Sequence, residues 1–126
     1  MRPKTLAEVA QLTLQGNSFD FCLANFLDGF YAGPTADALT PAPVLLTPVL
    51  GYLGHVQDAY LAATAEHLAR MQGFPVQGWV ADESRKLHQP WFASPLAALR
   101  TVLLLEIPAA FRSRNLFVSD NALARV

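Results

Sequence analysis

Three histidines, one cysteine and a handful of serines and carboxylates are the residues that could give this chain catalytic or metal chemistry. His55, His67 and His88 lack metal-ligand spacing. Glu66-His67 is no part of a His-Glu-x-x-His pattern, and His55 and His67 stand about 120° apart around a helix. His55 and Asp58 share a helical face, a pair better suited to a cap or surface hydrogen bond than to a metal. Cys22, the single cysteine, excludes an internal disulfide and a cysteine-based zinc site. It falls on the apolar face of an expected helix with no cation within one turn, so it reads as a small hydrophobe rather than a nucleophile. Ser94 precedes Pro95 and is explained as a helix cap, not as a Gly-x-Ser-x-Gly elbow. Asp82 and Glu83 would point about 100° apart on a helix, and Asp20 and Asp28 lie two turns apart on an expected solvent face. The glycines are scattered and build no phosphate-cradling loop. No catalytic or metal-ligating residue is assigned, and no cofactor is expected.

Two segments keep a functional reading. Leu87-His88-Gln89-Pro90-Trp91-Phe92 is dense in aromatic and imidazole groups. It either plugs one end of a helical core or presents Trp91 and Phe92 as an anchor patch, since such side chains dominate interface energetics. The second runs from Pro108 to Val118, where Arg112 and Arg114 stand at i, i+2 between Phe111 and Phe117. An extended chain would put both arginines on one face, able to bind a carboxylate or phosphate together. The alternative is that they bond helix C-termini and the acidic N-terminal half.

The elements that must position these residues are mostly helical. Thr5-Leu6-Ala7-Glu8 fits a capping box, and its helix should end at Gly16. A second helix opens at Asn17 or Ser18 and runs to about Tyr31, with Phe19, Cys22, Leu23, Phe26, Leu27 and Phe30 on one face. Residues 34–50 form a proline- and threonine-rich connection with one helical turn near 36–39. A central helix over residues 51–72 carries Tyr52, Val56, Ala59, Tyr60, Ala63, His67 and Met71 at helical spacing. A short helix is expected over 82–87, a long one over 95–105 behind Ser94-Pro95, and a helical turn over 108–112. Leu116-Phe117-Val118 is the one extended-looking piece. The fold class is all-α, a single compact multi-helix domain over residues 1–126.

Composition agrees with a packed domain. Hydrophobic residues make up 52% and charged residues 15% of the 126, so there is ample apolar surface to offset ordering entropy, and disorder is excluded. The low charge suggests a surface normally covered by something. Nine basic against ten acidic side chains give a net charge of −1, which disfavours free-standing binding to nucleic acid. Residues 1–66 hold two basic and six acidic residues, net −4, while residues 67–126 hold seven and four, net +3. Residues 38–57 form an uncharged run of twenty, but three prolines and two glycines disqualify it as a membrane span. Glu8 and Gln11 interrupt any signal-peptide core. The expected location is cytoplasmic.

Trp79-Val80, the segment from Leu87 to Phe92, the segment from Pro108 to Val118 and Asn121-Ala122-Leu123 together resemble a family of small bacterial proteins. In that family a proline-tryptophan-phenylalanine stretch precedes a helix, and an arginine-x-arginine tail flanked by phenylalanines closes the domain. Asn25-Phe26-Leu27-Asp28-Gly29-Phe30-Tyr31 is similar to its leucine-aspartate-x-phenylalanine-tyrosine segment. Members occur alone or fused to helix-turn-helix regulators, encoded beside nucleotidyltransferase-like proteins. The resemblance implies the antitoxin side of a bacterial toxin–antitoxin pair, with no catalytic residue to carry over. This chain shows no helix-turn-helix unit, so direct nucleic-acid binding is not expected.

The first reading is therefore a non-enzymatic interaction protein that occludes the active site of a nucleotidyltransferase-like partner. Trp91, Phe92, Phe111, Arg112 and Arg114 are its candidate contacts. The alternative is a small-molecule-binding or enzymatic domain with an interhelical pocket containing His67, His88 and Arg100. A homodimer through the same patch is a third reading.

Overall fold

The structure, a computed structural model, describes residues 2–92, 108–118 and 123. Its first helix, α1 (Leu6–Leu14), starts where the Thr5 hydroxyl accepts from the backbone N–H of Glu8 at 3.1 Å. The Glu8 carboxylate reaches back one residue further than a capping box requires, accepting from the Lys4 N–H. The second helix, α2 (Phe19–Ala32), is capped by the Ser18 hydroxyl, which accepts from Phe21 N–H at 3.2 Å. Its buried residues are the six of the expected face, Phe19, Cys22, Leu23, Phe26, Leu27 and Phe30. A short 3-10 turn, Ala36–Ala38, then leads into the proline-rich connection.

The central helix, α3 (Thr47–Gln72), begins four residues earlier than periodicity suggests and contains a break. Gly51 adopts φ 64° and ψ −139°, a conformation closed to residues bearing a Cβ. The single turn before it folds back over the main helix, and Gly54 meets the backbone of Leu46 there. A Cβ on Gly54 would stand 2.6 Å from the Leu46 carbonyl carbon and 2.9 Å from the Thr47 nitrogen. Both glycines are therefore used by the geometry of one turn.

That turn has no cap of its own, because Leu46 offers no polar side chain. Asp58, fully buried on the main helix, supplies it from eleven residues away. Its carboxylate accepts from Leu46 N–H at 2.7 Å, Thr47 N–H at 3.1 Å and the Thr47 hydroxyl at 2.6 Å. Arg85, also buried, donates to the backbone carbonyls of Pro43 and Asp58 and lies 4.9 Å from the centre of the Trp79 ring. Trp79 in turn donates its indole N–H to Leu39 O at 3.2 Å. The connection before α3 is thus pinned from both sides by side chains that come later in the chain.

Along its middle, α3 is buried on nearly every side, from Asp58 and Ala59 through Leu61–Ala65 to Leu68 and Ala69. It packs against α1, against the turns that follow it and against the C-terminal elements. The expected stripe is corrected at its ends: Val56, Ala59 and Ala63 are buried, but Tyr52 and Met71 are 61% and 70% exposed. A helix of about 30 Å beyond the break outruns the core it crosses, which leaves these two side chains of its terminal turns exposed.

After Gly73 the chain does not form the helix expected over 82–87. Two 3-10 turns, Gly78–Ala81 and Glu83–Arg85, stand there, separated by an extended Asp82. The Asp82 carboxylate accepts from Ser84 N–H and hydroxyl at 3.0 and 2.8 Å, a local bond that competes with helix continuation. Strand β1 (Trp91–Phe92) pairs in parallel with β2 (Leu116–Phe117), Trp91 opposite Leu116 and Phe92 opposite Phe117. Between them lies the one-turn helix α4 (Ala109–Arg112). The extended piece at Leu116 is legible from sequence, whereas its partner strand lies in the aromatic segment read as a core plug or an anchor patch. The helix expected over 95–105, with its Ser94 cap, lies outside the described residues. Among the described residues the architecture is mainly helical with one two-stranded sheet, and no helix there is long and apolar enough to cross a membrane.

Two substitutions test this construction by denaturant unfolding. Gly54→Ala should destabilise the fold by about 1–3 kcal/mol, because its methyl meets backbone rather than a movable side chain. Asp58→Ala should cost about 3 kcal/mol or more, since two backbone N–H groups and a hydroxyl lose their acceptor.

Candidate functional site

The two arginines of the C-terminal segment part company in the structure. Residues 109–112 are helical and the chain then turns, so i, i+2 side chains diverge by about 200° instead of sharing a face. Arg112 is exposed. Arg114 is 3% exposed and bonded inward: Nη1 donates to Ala110 O at 2.7 Å, and Nη2 to Val80 O and Glu66 Oε1, both at 2.8 Å. Phe111 is fully buried, its ring edge-to-face with Tyr60 at 5.0 Å. The expectation that Phe111, Arg112 and Arg114 form one contact surface is therefore corrected to Arg112 alone. Phe111 and Arg114 hold the C-terminal segment onto α3.

Glu66 is the hinge of that attachment, accepting also from Arg70 Nε at 3.1 Å. Burial pushes its carboxyl up, but the hydrogen bond and charge of Arg114, aided by Arg70, outweigh burial and hold it below the ordinary value of 4.5. This pair joins the acidic first half of the chain to the basic second half, which the charge division left open.

Trp91 and Phe92 are placed by the small sheet. Asn115, with φ 63°, turns the chain so that its carbonyl accepts from Trp91 N–H at 2.8 Å while its side-chain amide donates to Leu87 O at 2.7 Å. Asparagine is among the few residues that take this left-handed conformation readily. Phe92 is 36% exposed and stacks on Phe117, ring centres 5.0 Å apart and planes 23° from parallel. Trp91 is half-buried and faces a cleft of about 580 Å³ between α2 and α3, where Phe19, Asp20, Leu53, Gln57 and Tyr60 also stand. Burial, with the charge of Asp20 adding to it, pushes the Tyr60 phenol up to about 12. Among these groups the sequence marked only Trp91 as functional. Asp20, Gln57 and Tyr60 carry no motif, and only folding brings α2, α3 and β1 together.

The pocket expected around His67, His88 and Arg100 is not assembled from the described residues. His67 is half-buried, and burial lowers its pKa. His88 is exposed and lies beside His55, ring centres 6.4 Å apart, in a shallower groove with Leu45 and Pro48. His55 Nε2 is 2.9 Å from Lys86 O, so it is not the partner of Asp58 that a shared helical face suggested. Arg100 lies outside the described residues. Cys22 is buried and its thiol is pushed up by burial, the behaviour of a packing residue. Among the described residues no cluster of three or more histidine, cysteine, aspartate or glutamate side chains could hold a metal ion.

No protein-family model matches the chain, and neither a curated protein nor a solved structure matches it. The class that the geometry defines is a mainly helical protein with an aromatic cleft beside a two-stranded parallel sheet.

The attachment of the C-terminal segment carries a pH signature. Because Glu66 titrates lower in the fold than in the unfolded chain, its stabilisation is complete above about pH 4.5 and is lost as pH falls through the lowered value. Glu66→Gln should therefore lower stability at neutral pH by about 2 kcal/mol. In thermal melts from pH 7 to pH 3, the gap between the two proteins should narrow below pH 4.5.

Proposed function

We propose that this chain is a non-enzymatic, antitoxin-like interaction protein that binds a nucleotidyltransferase-like partner and restrains it by covering its active site. The observation that carries the reading is an apolar surface at the start of α3. Val49, Tyr52 and Leu53 are 66%, 61% and 59% exposed within one stretch of five residues. Leu53 and Trp91 border the same cleft, so this stretch runs on towards β1 and the exposed Phe92. Large apolar side chains grouped on a surface mark interaction sites, and aromatic ones supply most of the binding energy at such sites. Arg112, exposed, is the one candidate arginine available to a partner among the described residues.

The resemblance of the tryptophan–phenylalanine and arginine-x-arginine segments to antitoxin-like proteins supplies the kind of partner. The surface supplies only the reason to expect one. A cytoplasmic location and action without membranes follow from the same reading. The small-molecule alternative keeps one favourable observation, the cleft beside β1, although its lining is not the histidine set first expected.

The test is co-expression with the protein encoded next to this chain, tagging only one and weighing the eluted species. A stable complex, together with relief of the growth arrest caused by the neighbour alone, is the expected result. Val49→Asp and Tyr52→Asp, both at exposed positions, should leave folding intact and weaken the complex by about 2 kcal/mol or more. Elution of this chain alone, beside a neighbour that is harmless without it, would overturn the proposal.

A further inference from the structure

Two histidines that lie 33 positions apart in sequence meet in the groove beside the start of α3. His55 stands on α3, half-buried, with Nε2 2.9 Å from Lys86 O. A carbonyl oxygen only accepts, so Nε2 carries the proton and donates. In the neutral ring the lone pair is then on Nδ1, and no hydrogen bond among the described residues is made there. His88 reaches the groove by an extended backbone. Lys86 has φ −125° and ψ 142°, and buried Leu87 donates its N–H to Arg114 O at 3.3 Å. Successive side chains of an extended chain alternate in direction, so His88 stands away from buried Leu87. Its ring centre is 6.4 Å from that of His55, with the planes 64° apart.

Packing accounts for one of these residues only. The bond to Lys86 O is reason enough for a histidine at position 55, as a clip between α3 and the loop that follows Arg85. It gives no reason for a second, exposed imidazole beside the first. A ring that donates one N–H to a backbone carbonyl and keeps the other nitrogen basic is the arrangement of a metal-ligating histidine. Two imidazoles on one zinc ion, with Zn–N bonds of about 2.0–2.1 Å, have ring centres about 5–6.5 Å apart, depending on the angle at the metal. The observed 6.4 Å is the open end of that range, and rotation of the exposed His88 ring closes it towards the tetrahedral angle. Glu83 lines the same groove and pairs with Lys86 at 3.6 Å, so the neighbouring lysine charge is offset.

We propose that His55, through Nδ1, and His88 together bind a divalent transition-metal ion of the zinc, nickel or copper class, with water completing its coordination. Imidazole favours these ions over magnesium and calcium, which take oxygen ligands. Two protein ligands make a weaker site than the three or four of catalytic and structural zinc centres. The inference does not rest on the antitoxin-like reading, since both ligands belong to one chain.

Titration of the ¹⁵N-labelled chain with zinc chloride tests it, read by the imidazole nitrogen resonances and by mass in solution. Zinc should bind saturably at one ion per chain, shifting Nδ1 of His55 and a ring nitrogen of His88 while Nε2 of His55 stays protonated. Magnesium chloride should shift neither ring. His88→Ala, at an exposed position, should weaken zinc binding at least about tenfold and leave the melting temperature of the metal-free protein unchanged. No saturable shift at millimolar zinc, ligation through Nε2 of His55, or undiminished binding by His88→Ala would overturn the proposal. One ion per two chains with a doubled mass would also overturn it, because the ion would then lie between copies.

Discussion

The carboxylate of Asp58 is the constraint around which the first two thirds of the molecule is arranged. A break at Gly51 leaves a one-turn piece of helix with exposed backbone donors and no polar residue at its own start. Unpaired backbone donors in an interior are costly, so such a piece persists only if an acceptor is brought to it. Asp58 is that acceptor, and it can reach because Gly54 lets the two backbones approach. The charge so buried has Arg85 close by, whose own pKa is lowered by burial and raised in part by the charges of Asp58 and Asp82. Arg85 then fixes the proline-rich connection by donating to Pro43 O.

A second buried arginine does for the C-terminal segment what Arg85 does for the connection. Arg114 serves the carbonyls of Ala110 and Val80 and the carboxylate of Glu66, so three separate stretches of chain meet at one guanidinium. The planar fork of arginine suits this use, since it offers several donors in fixed directions and keeps its charge when buried. A chain with so few charged residues spends two of its arginines inside, where loops without regular backbone pairing need donors. The surface is correspondingly apolar around Val49, Tyr52 and Leu53. Fold economy and the proposed interaction role thus have a common origin in how little charge the chain carries.

The cleft is a by-product of the same construction. α2 is held by its own capped start, α3 by the Asp58 contact, and β1 by the turn at Asn115, and the space between them is walled by side chains from all three. Elements fixed by independent contacts leave a preformed cleft, one whose shape does not wait on the ordering of these three walls.

The sequence by itself determined the local features. The caps at Thr5 and Ser18, the apolar face of α2, the stop of α3 at Gly73 and the short extended piece at Leu116 each depend on neighbours within a turn or two, and each stands where local rules put it. Tertiary structure decided what each polar side chain is for. Asp58 looked like a partner for His55 and is a distant cap, while Arg114 looked like a surface contact and is a buried brace. Trp91–Phe92 became a strand only because Leu116–Phe117 lies beside it. The physical reason is range: caps and amphipathic periodicity act over a few residues, whereas a buried charge or a parallel strand pair is defined by groups far apart in sequence. Only the folded chain brings those groups within hydrogen-bonding distance.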